Sequence, residues 1–314
     1  MPKADTGCAS GALPAPGGWV PEWPVPAHVQ AYMTTRNGGV SAPPFDSFNL
    51  GSHVRDDVSA VACNRQLLAQ HVHARPVFLN QVHGNVCAPL TLNTPDETVA
   101  DACITQTPGV ACTVMVADCL PVLLADTAGR TVAAAHAGWR GLAGVNGDGG
   151  VLAQVLKLFC ASSHGPCENN ATDFSSQVAA TSLNAVAANG QLGAADLVAW
   201  LGPCIGPGAF EVGEDVRAAF TAHAAIPAET ASCFQPVPGR PGKYLCDLAR
   251  LARLQLASLG VTRVYGNDGS ARWCTVSQPD TWFSHRRDAN ALGSTGRMAA
   301  CVWLAPVHGD QACA

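Results

Sequence analysis

The chain has 314 residues, 48% of them apolar and 13% charged, with a formal net charge of −5. This composition supports a sizeable core and offers no basic field for nucleic acid. No apolar run approaches the roughly 20 residues of a membrane helix, and Met1-Pro2-Lys3-Ala4-Asp5 does not open a secretory signal, so the expected address is the cytoplasm, away from membranes.

Residues 1–26 carry Pro14, Pro16, Pro21, Pro24 and Pro26 among Gly and Ala, and read as a flexible leader. A strand is predicted over 29–35, followed by the turn Asn37-Gly38-Gly39 with Arg36 at its entrance. Asp56 and Asp57 place acids at the positive end of a helix running to about residue 71. Short apolar runs bounded by Gly, Asp and Pro then predict strands over 77–81, 99–105, 110–117, 121–126 and 131–136. A helix follows over 149–160. Residues 161–191 are polar and read as a surface insertion. Further on, a strand is expected over 197–201 and helices over 214–224 and 247–259. The last strands are expected over 261–265, 281–284 and 298–304. Without a repeat or a dividing linker, the pattern predicts one mixed α+β domain over 27–305 and a short tail over 306–314.

Three of these strands lead into reactive side chains. One runs toward His83 in Gln81-Val82-His83-Gly84. Another ends before Cys119 in Ala117-Asp118-Cys119-Leu120-Pro121, and a third ends at His136 in His136-Ala137-Gly138-Trp139-Arg140-Gly141. Two imidazoles and a thiolate suit Zn²⁺, and three protein ligands leave a position open for water or substrate. The same donors suit copper, and Cys119 with His136 also reads as a nucleophile and its base. The fourteen cysteines hold no Cys-x-x-Cys pair, and most are scattered through apolar runs as small hydrophobes.

Six motifs occur in order: Thr34-Thr35-Arg36-Asn37-Gly38-Gly39-Val40-Ser41, Asn49-Leu50-Gly51, the three segments just quoted, and Gly202-Pro203-Cys204-Ile205-Gly206. Together they resemble the YfiH/YlmD-type family, once named multicopper polyphenol oxidase or laccase-domain proteins. The resemblance implies one compact domain of mixed β-sheets layered with helices, a fold likened to the catalytic domain of cytotoxic necrotising factor toxins. It implies a zinc site at His83, Cys119 and His136. The implied reactions are phosphorolysis of adenosine, inosine and methylthioadenosine, and deamination of adenosine. Small purine nucleosides and phosphate are then the expected partners. Arg36 beside its Gly turn is the first candidate for phosphate, with Asn49, Gln81, Arg286 and Arg287 as further substrate candidates. Arg140 reads as a brace of its own turn. Two other activities stay open. One is amide hydrolysis in the editing of peptidoglycan precursors. The other is copper-dependent oxidation of phenols, whose second cluster would have to include His71-Val72-His73.

Overall fold

The computed structural model describes residues 15–144, 149–162, 193–222 and 224–306. The first half contributes β1 (Gly18–Trp19), β2 (Val29–Thr34), α1 (Val58–Val72), β3 (Arg75–Phe78), β4 (Cys87–Pro89), β5 (Ala102–Thr105), β6 (Val110–Val116), β7 (Leu120–Asp126) and β8 (Val132–Ala137). Then come α2 (Trp139–Ala143), α3 (Gly150–Ser162), β9 (Leu197–Leu201), β10 (Glu211–Gly213), α4 (Glu214–Thr221), α5 (Pro227–Ala231), β11 (Phe234–Pro236) and β12 (Lys243–Cys246). The chain closes with α6 (Leu248–Ser258), β13 (Arg263–Gly266), α7 (His285–Leu292) and β14 (Met298–Leu304).

The strands form a five-stranded sheet in the order β1-β2-β14-β6-β3, a six-stranded sheet in the order β13-β9-β7-β8-β5-β4, and a small sheet β10-β12-β11. The two large sheets pack face to face, and helices cover both outer faces. Alternation along β6 shows how. Val110, Cys112, Val114 and Val116 join the core between the sheets, while Ala111 and Met115 pack with Leu67, Leu68 and Val72 of α1. On β7 and β8, Leu123 and Ala134 face the same central core. Leu120, Val122, Ala133 and Ala135 face α3 and α6 instead. A strand covered on both faces must be apolar throughout, so these segments read as unbroken apolar runs. The mixed α/β domain expected from the sequence is observed.

Helix starts follow side-chain chemistry. Asp57 Oδ1 accepts the N–H of Ala60 at 2.9 Å to cap α1, and Asp247 Oδ1 accepts that of Arg250 at 2.9 Å to cap α6. The strand expected over 281–284 is absent. Ser284 instead caps α7, its Oγ accepting the Arg287 N–H at 3.2 Å, which puts Arg286 and Arg287 in the first turn of a helix.

The expected leader is also corrected from residue 15 onward. β1 pairs with Met33 and Thr34 of β2. The Trp19 indole lies 5.2 Å from Trp282, 6.3 Å from Trp273 and 6.4 Å from Trp200, centroid to centroid. Apolar burial outweighs the high Pro and Gly content here. Residues 1–14, residues 163–191 of the expected insertion and residues 307–314 of the expected tail lie outside the described residues. Ten described cysteines are free thiols. Cys63 of α1 is buried with Leu67, Leu68 and Val72.

Candidate metal centre

At one end of the sandwich the chain passes twice from the first large sheet to the second. Residues 79–86 connect β3 to β4, and residues 117–119 connect β6 to β7. His83 lies on the first crossover and Cys119 on the second. His136 sits inside β8, where it pairs with Pro121 of β7. The donor atoms of His83, Cys119 and His136 all fall within 4.8 Å of one another, and Cys119 Sγ is 3.8 Å from His83 Nε2. The two imidazoles meet edge to face at 4.8 Å. A Cβ on Gly138 would stand 3.0 Å from Cys119 Sγ, 3.0 Å from His83 Cδ2 and 3.7 Å from His136 Cε1, so the absent side chain leaves room at the donors. His136 is buried, Cys119 half-buried and His83 exposed, which opens one side of the cluster to solvent. Two nitrogens and one sulfur with an open side fit zinc or copper.

The sequence reading ran the strand before His83 to residue 81, but β3 ends at Phe78. His83 is instead held by Asp101, which that reading missed. Asp101 is fully buried. Its Oδ1 accepts the His83 N–H at 2.8 Å and His136 Nδ1 at 2.8 Å. Its Oδ2 accepts the N–H of Val82 at 3.2 Å and of Gly84 at 2.7 Å. One carboxylate therefore shapes the loop around one ligand and orients the other, leaving Nε2 of His136 for a metal. Burial alone would raise the Asp101 carboxyl, but the His136 bond and the loop N–H groups hold it below its ordinary value. An acid inside the apolar run 99–105 was the available signal.

Asp118 fixes the second crossover. It is buried in the left-handed region at φ 89°. Its Oδ1 accepts the Thr275 hydroxyl at 2.5 Å, its Oδ2 the Arg286 N–H at 2.6 Å, and its carbonyl the Ile205 N–H at 2.9 Å. The Gly202-Pro203-Cys204-Ile205-Gly206 segment is thus a buttress behind Cys119.

Most of the substrate candidates do not present free groups. Arg36 donates from Nε to the Asp46 carbonyl at 2.9 Å and from Nη1 to the Pro279 carbonyl at 3.0 Å. Its Nη2 pairs with Asp46 Oδ2 at 3.3 Å, and the guanidinium stacks on Phe283. Asn49 is fully buried, bonded to Gly51, Asp56 and the Arg297 N–H. Gln81 pairs both of its polar atoms with the backbone of Met115, at 2.7 and 2.8 Å, extending the edge of β6. Arg287 is engaged by Asp288 and by the carbonyls of Thr275, Val276 and Trp282. In this structure each of these four side chains is bonded to backbone around the site, where the loops must satisfy their own polar groups. Arg286 is exposed, bonded to the Glu211 carbonyl and set over Phe210. Arg140 stacks on Trp139, as expected of a brace.

Burial would raise the Cys119 thiol, but His136 and His83 bring it down to about 6. Burial would lower His136, but Cys119 and Asp101 bring it up to about 9. Between these values the metal-free pair is a thiolate beside an imidazolium. A metal requires both groups deprotonated, so capture in that window releases the His136 proton. Zinc affinity is then expected to rise about tenfold per pH unit from pH 6 to 9, flatten above 9, and fall more steeply below 6 as Cys119 also protonates. Competition against a chelator across this range measures the slope. A flat profile would exclude the ion pair.

A protein family described as multi-copper polyphenol oxidoreductase laccase matches residues 30–170 and 173–305. A Pseudomonas aeruginosa protein named purine nucleoside phosphorylase is 43% identical over 285 residues, covering 90% of this chain and 97% of its own length. Escherichia coli YfiH, also named purine nucleoside phosphorylase, is 41% identical over 287 residues, covering 91% and 98%. Among solved structures, a Neisseria meningitidis protein superposes with a TM-score of 0.72 at 40% identity, covering 92% of this chain and all of that one. YlmD of Geobacillus stearothermophilus superposes with a TM-score of 0.69 at 29% identity, covering 89% and 93%.

Proposed function

The chain belongs to the multi-copper polyphenol oxidoreductase laccase family, and from that premise we propose that it is a zinc-dependent purine nucleoside phosphorylase. The observation that carries the reading is the three-donor set of His83, Cys119 and His136 with one open side, in a chain 36–43% identical to relatives named for this activity. In the reaction the bond from ribose C1′ to the purine nitrogen breaks. A phosphate oxygen bonds to C1′, and the base leaves with a proton on nitrogen.

His83, Cys119 and His136 would hold the zinc, which when bound supplies a Lewis acid to polarise a substrate atom. Asp101 keeps the proton of His136 on Nδ1, so Nε2 stays directed at the site. The buried Asp118 turn and the Asp101-bound loop fix two of the donors without help from substrate. Adenosine deamination belongs to the same proposal as a second reaction of the centre. The cytoplasm is the address this reading carries, and among the described residues no helix is long and apolar enough to cross a membrane.

A phenol oxidase built on several coppers needs further histidine donors. Among the described residues, the His83–Cys119–His136 group is the one set of three candidate donors close enough to hold a metal ion. His71 stacks on Tyr32, and His73 closes α1 in a left-handed conformation.

The test is purine release from inosine by zinc-loaded protein, with and without phosphate, alongside ammonia release from adenosine. Phosphate-dependent release with formation of ribose 1-phosphate is expected. Release that ignores phosphate would reject phosphorolysis. No nucleoside turnover at all would turn the reading to amide hydrolysis at Cys119.

A further inference from the structure

With Arg36 committed to Asp46, the site needs another cation for an oxyanion, and Arg297 is in position. It directly precedes β14, whose register sets Met298 opposite Val116. Arg297 therefore falls opposite Ala117, beside the Asp118–Cys119 crossover. Its N–H donates to Asn49 Oδ1 at 2.8 Å, and its carbonyl accepts from Leu50 at 3.1 Å. Its stem lies across Gly51, where a Cβ would come within 2.7 Å of Arg297 Cγ. The Asn-Leu-Gly segment is thus a clamp on this arginine.

The guanidinium is held from one side only. Nη1 donates to the carbonyls of Thr295 at 3.0 Å and Gly296 at 3.1 Å. Among the described residues Nε and Nη2 bond to nothing, and no carboxylate lies within ion-pair distance. Arg36, Arg65 and Arg287 by contrast each have one, in Asp46, Glu97 and Asp288. The edge formed by Nε and Nη2 carries the two parallel N–H groups that suit a bidentate oxyanion. Burial lowers the Arg297 pKa, while Cys119 and Asp118 raise it, so the charges of that crossover reach the guanidinium. A half-buried cation with no carboxylate in direct contact leaves that edge open to an anion.

We propose that the free Nε–Nη2 edge of Arg297 is the phosphate-binding group of the site, pre-set by Thr295, Gly296 and the Asn49–Gly51 clamp. The inference rests on the phosphorolysis reading for the identity of the anion.

The experiment is calorimetric titration of inorganic phosphate into the full-length, zinc-loaded protein, followed by phosphate KM measurements with inosine. Arg297→Gln is expected to weaken phosphate binding about 30-fold or more, with zinc content and inosine affinity kept. Arg297→Lys, which keeps a charge without the fork, should recover part of the loss. Should Arg297→Gln fold poorly, Gly51→Ala displaces the stem and keeps the charge, and a raised phosphate KM with unchanged zinc is expected. Unchanged phosphate affinity in Arg297→Gln or in Gly51→Ala would overturn the assignment, as would loss of zinc in Arg297→Gln, which would make Arg297 a structural prop. If phosphate binds the wild type through Arg297 yet no purine is released, the anion site stands and the phosphorylase reading falls. If phosphorolysis proceeds equally without Arg297, the reverse holds.

Discussion

Replacing Cys119 by alanine is expected to remove bound metal and nucleoside turnover together. The donor set has three members, and a catalytic centre with three protein ligands keeps its remaining position for substrate, so none is redundant. Loss of an outer-shell partner alone costs about 10- to 100-fold in metal affinity. Loss of the thiolate should exceed that, at about 10³-fold or more. The fold should survive, because Cys119 is only half-buried and its crossover is held through Asp118 rather than through sulfur. Zinc content after dialysis, read beside purine release and circular dichroism, is the measurement. A Cys119→Ala protein with full zinc and wild-type turnover would remove the thiolate from the site.

The second large effect is expected from Asp101→Ala, in stability and metal affinity at once. The substitution strips an acceptor from the N–H groups of Val82, His83 and Gly84 and from His136 Nδ1. A buried donor left unpaired costs about 1–3 kcal/mol. Since the loop is only part-buried and water can reach some of these groups, the net loss should be about 3 kcal/mol. Metal affinity should drop about 10- to 100-fold as His136 loses its orienting partner. Urea unfolding in the presence of chelator isolates the first effect, and chelator competition the second. Asp101→Asn should fall between, since one oxygen still accepts. Wild-type metal affinity in Asp101→Ala would show that His136 needs no such partner.

The sandwich was legible wherever a strand is covered on both faces. Residues 110–116, 120–126 and 132–137 are unbroken apolar runs, and no other element fits that pattern with turn residues between. Two of the three candidate donors were legible too, because Cys119 follows the run 110–116 and His136 lies near the end of 132–137, whereas His83 stands five residues past the end of β3. The substrate side was not. Cations and amides in loops look alike in sequence whether they bind a ligand or their own backbone. In the structure Arg36, Asn49, Gln81 and Arg287 all bond to nearby backbone groups. Arg297 was passed over because it follows Gly296 at the start of a strand and carries no local mark. Asp101 was missed for a different reason: its four partners come from residues 82–84 and 136, which no local pattern brings together. β1 was missed because two paired residues leave no periodicity, and its docking depends on three distant indoles.

Those indoles give the docked N-terminal segment an optical identity. Trp19 arrives from the start of the chain and completes a group of four, with neighbouring centroids 5.2–6.4 Å apart, close enough for their excited states to couple. Detachment of residues 15–26 would end the coupling to Trp19 and wet the exposed ring, at the cost of the two-residue edge strand β1 alone, while β2, β14, β6 and β3 and the whole six-stranded sheet stay paired. Near-ultraviolet dichroism and tryptophan emission would therefore change before any far-ultraviolet signal does, giving a built-in spectroscopic reporter for one short piece of chain.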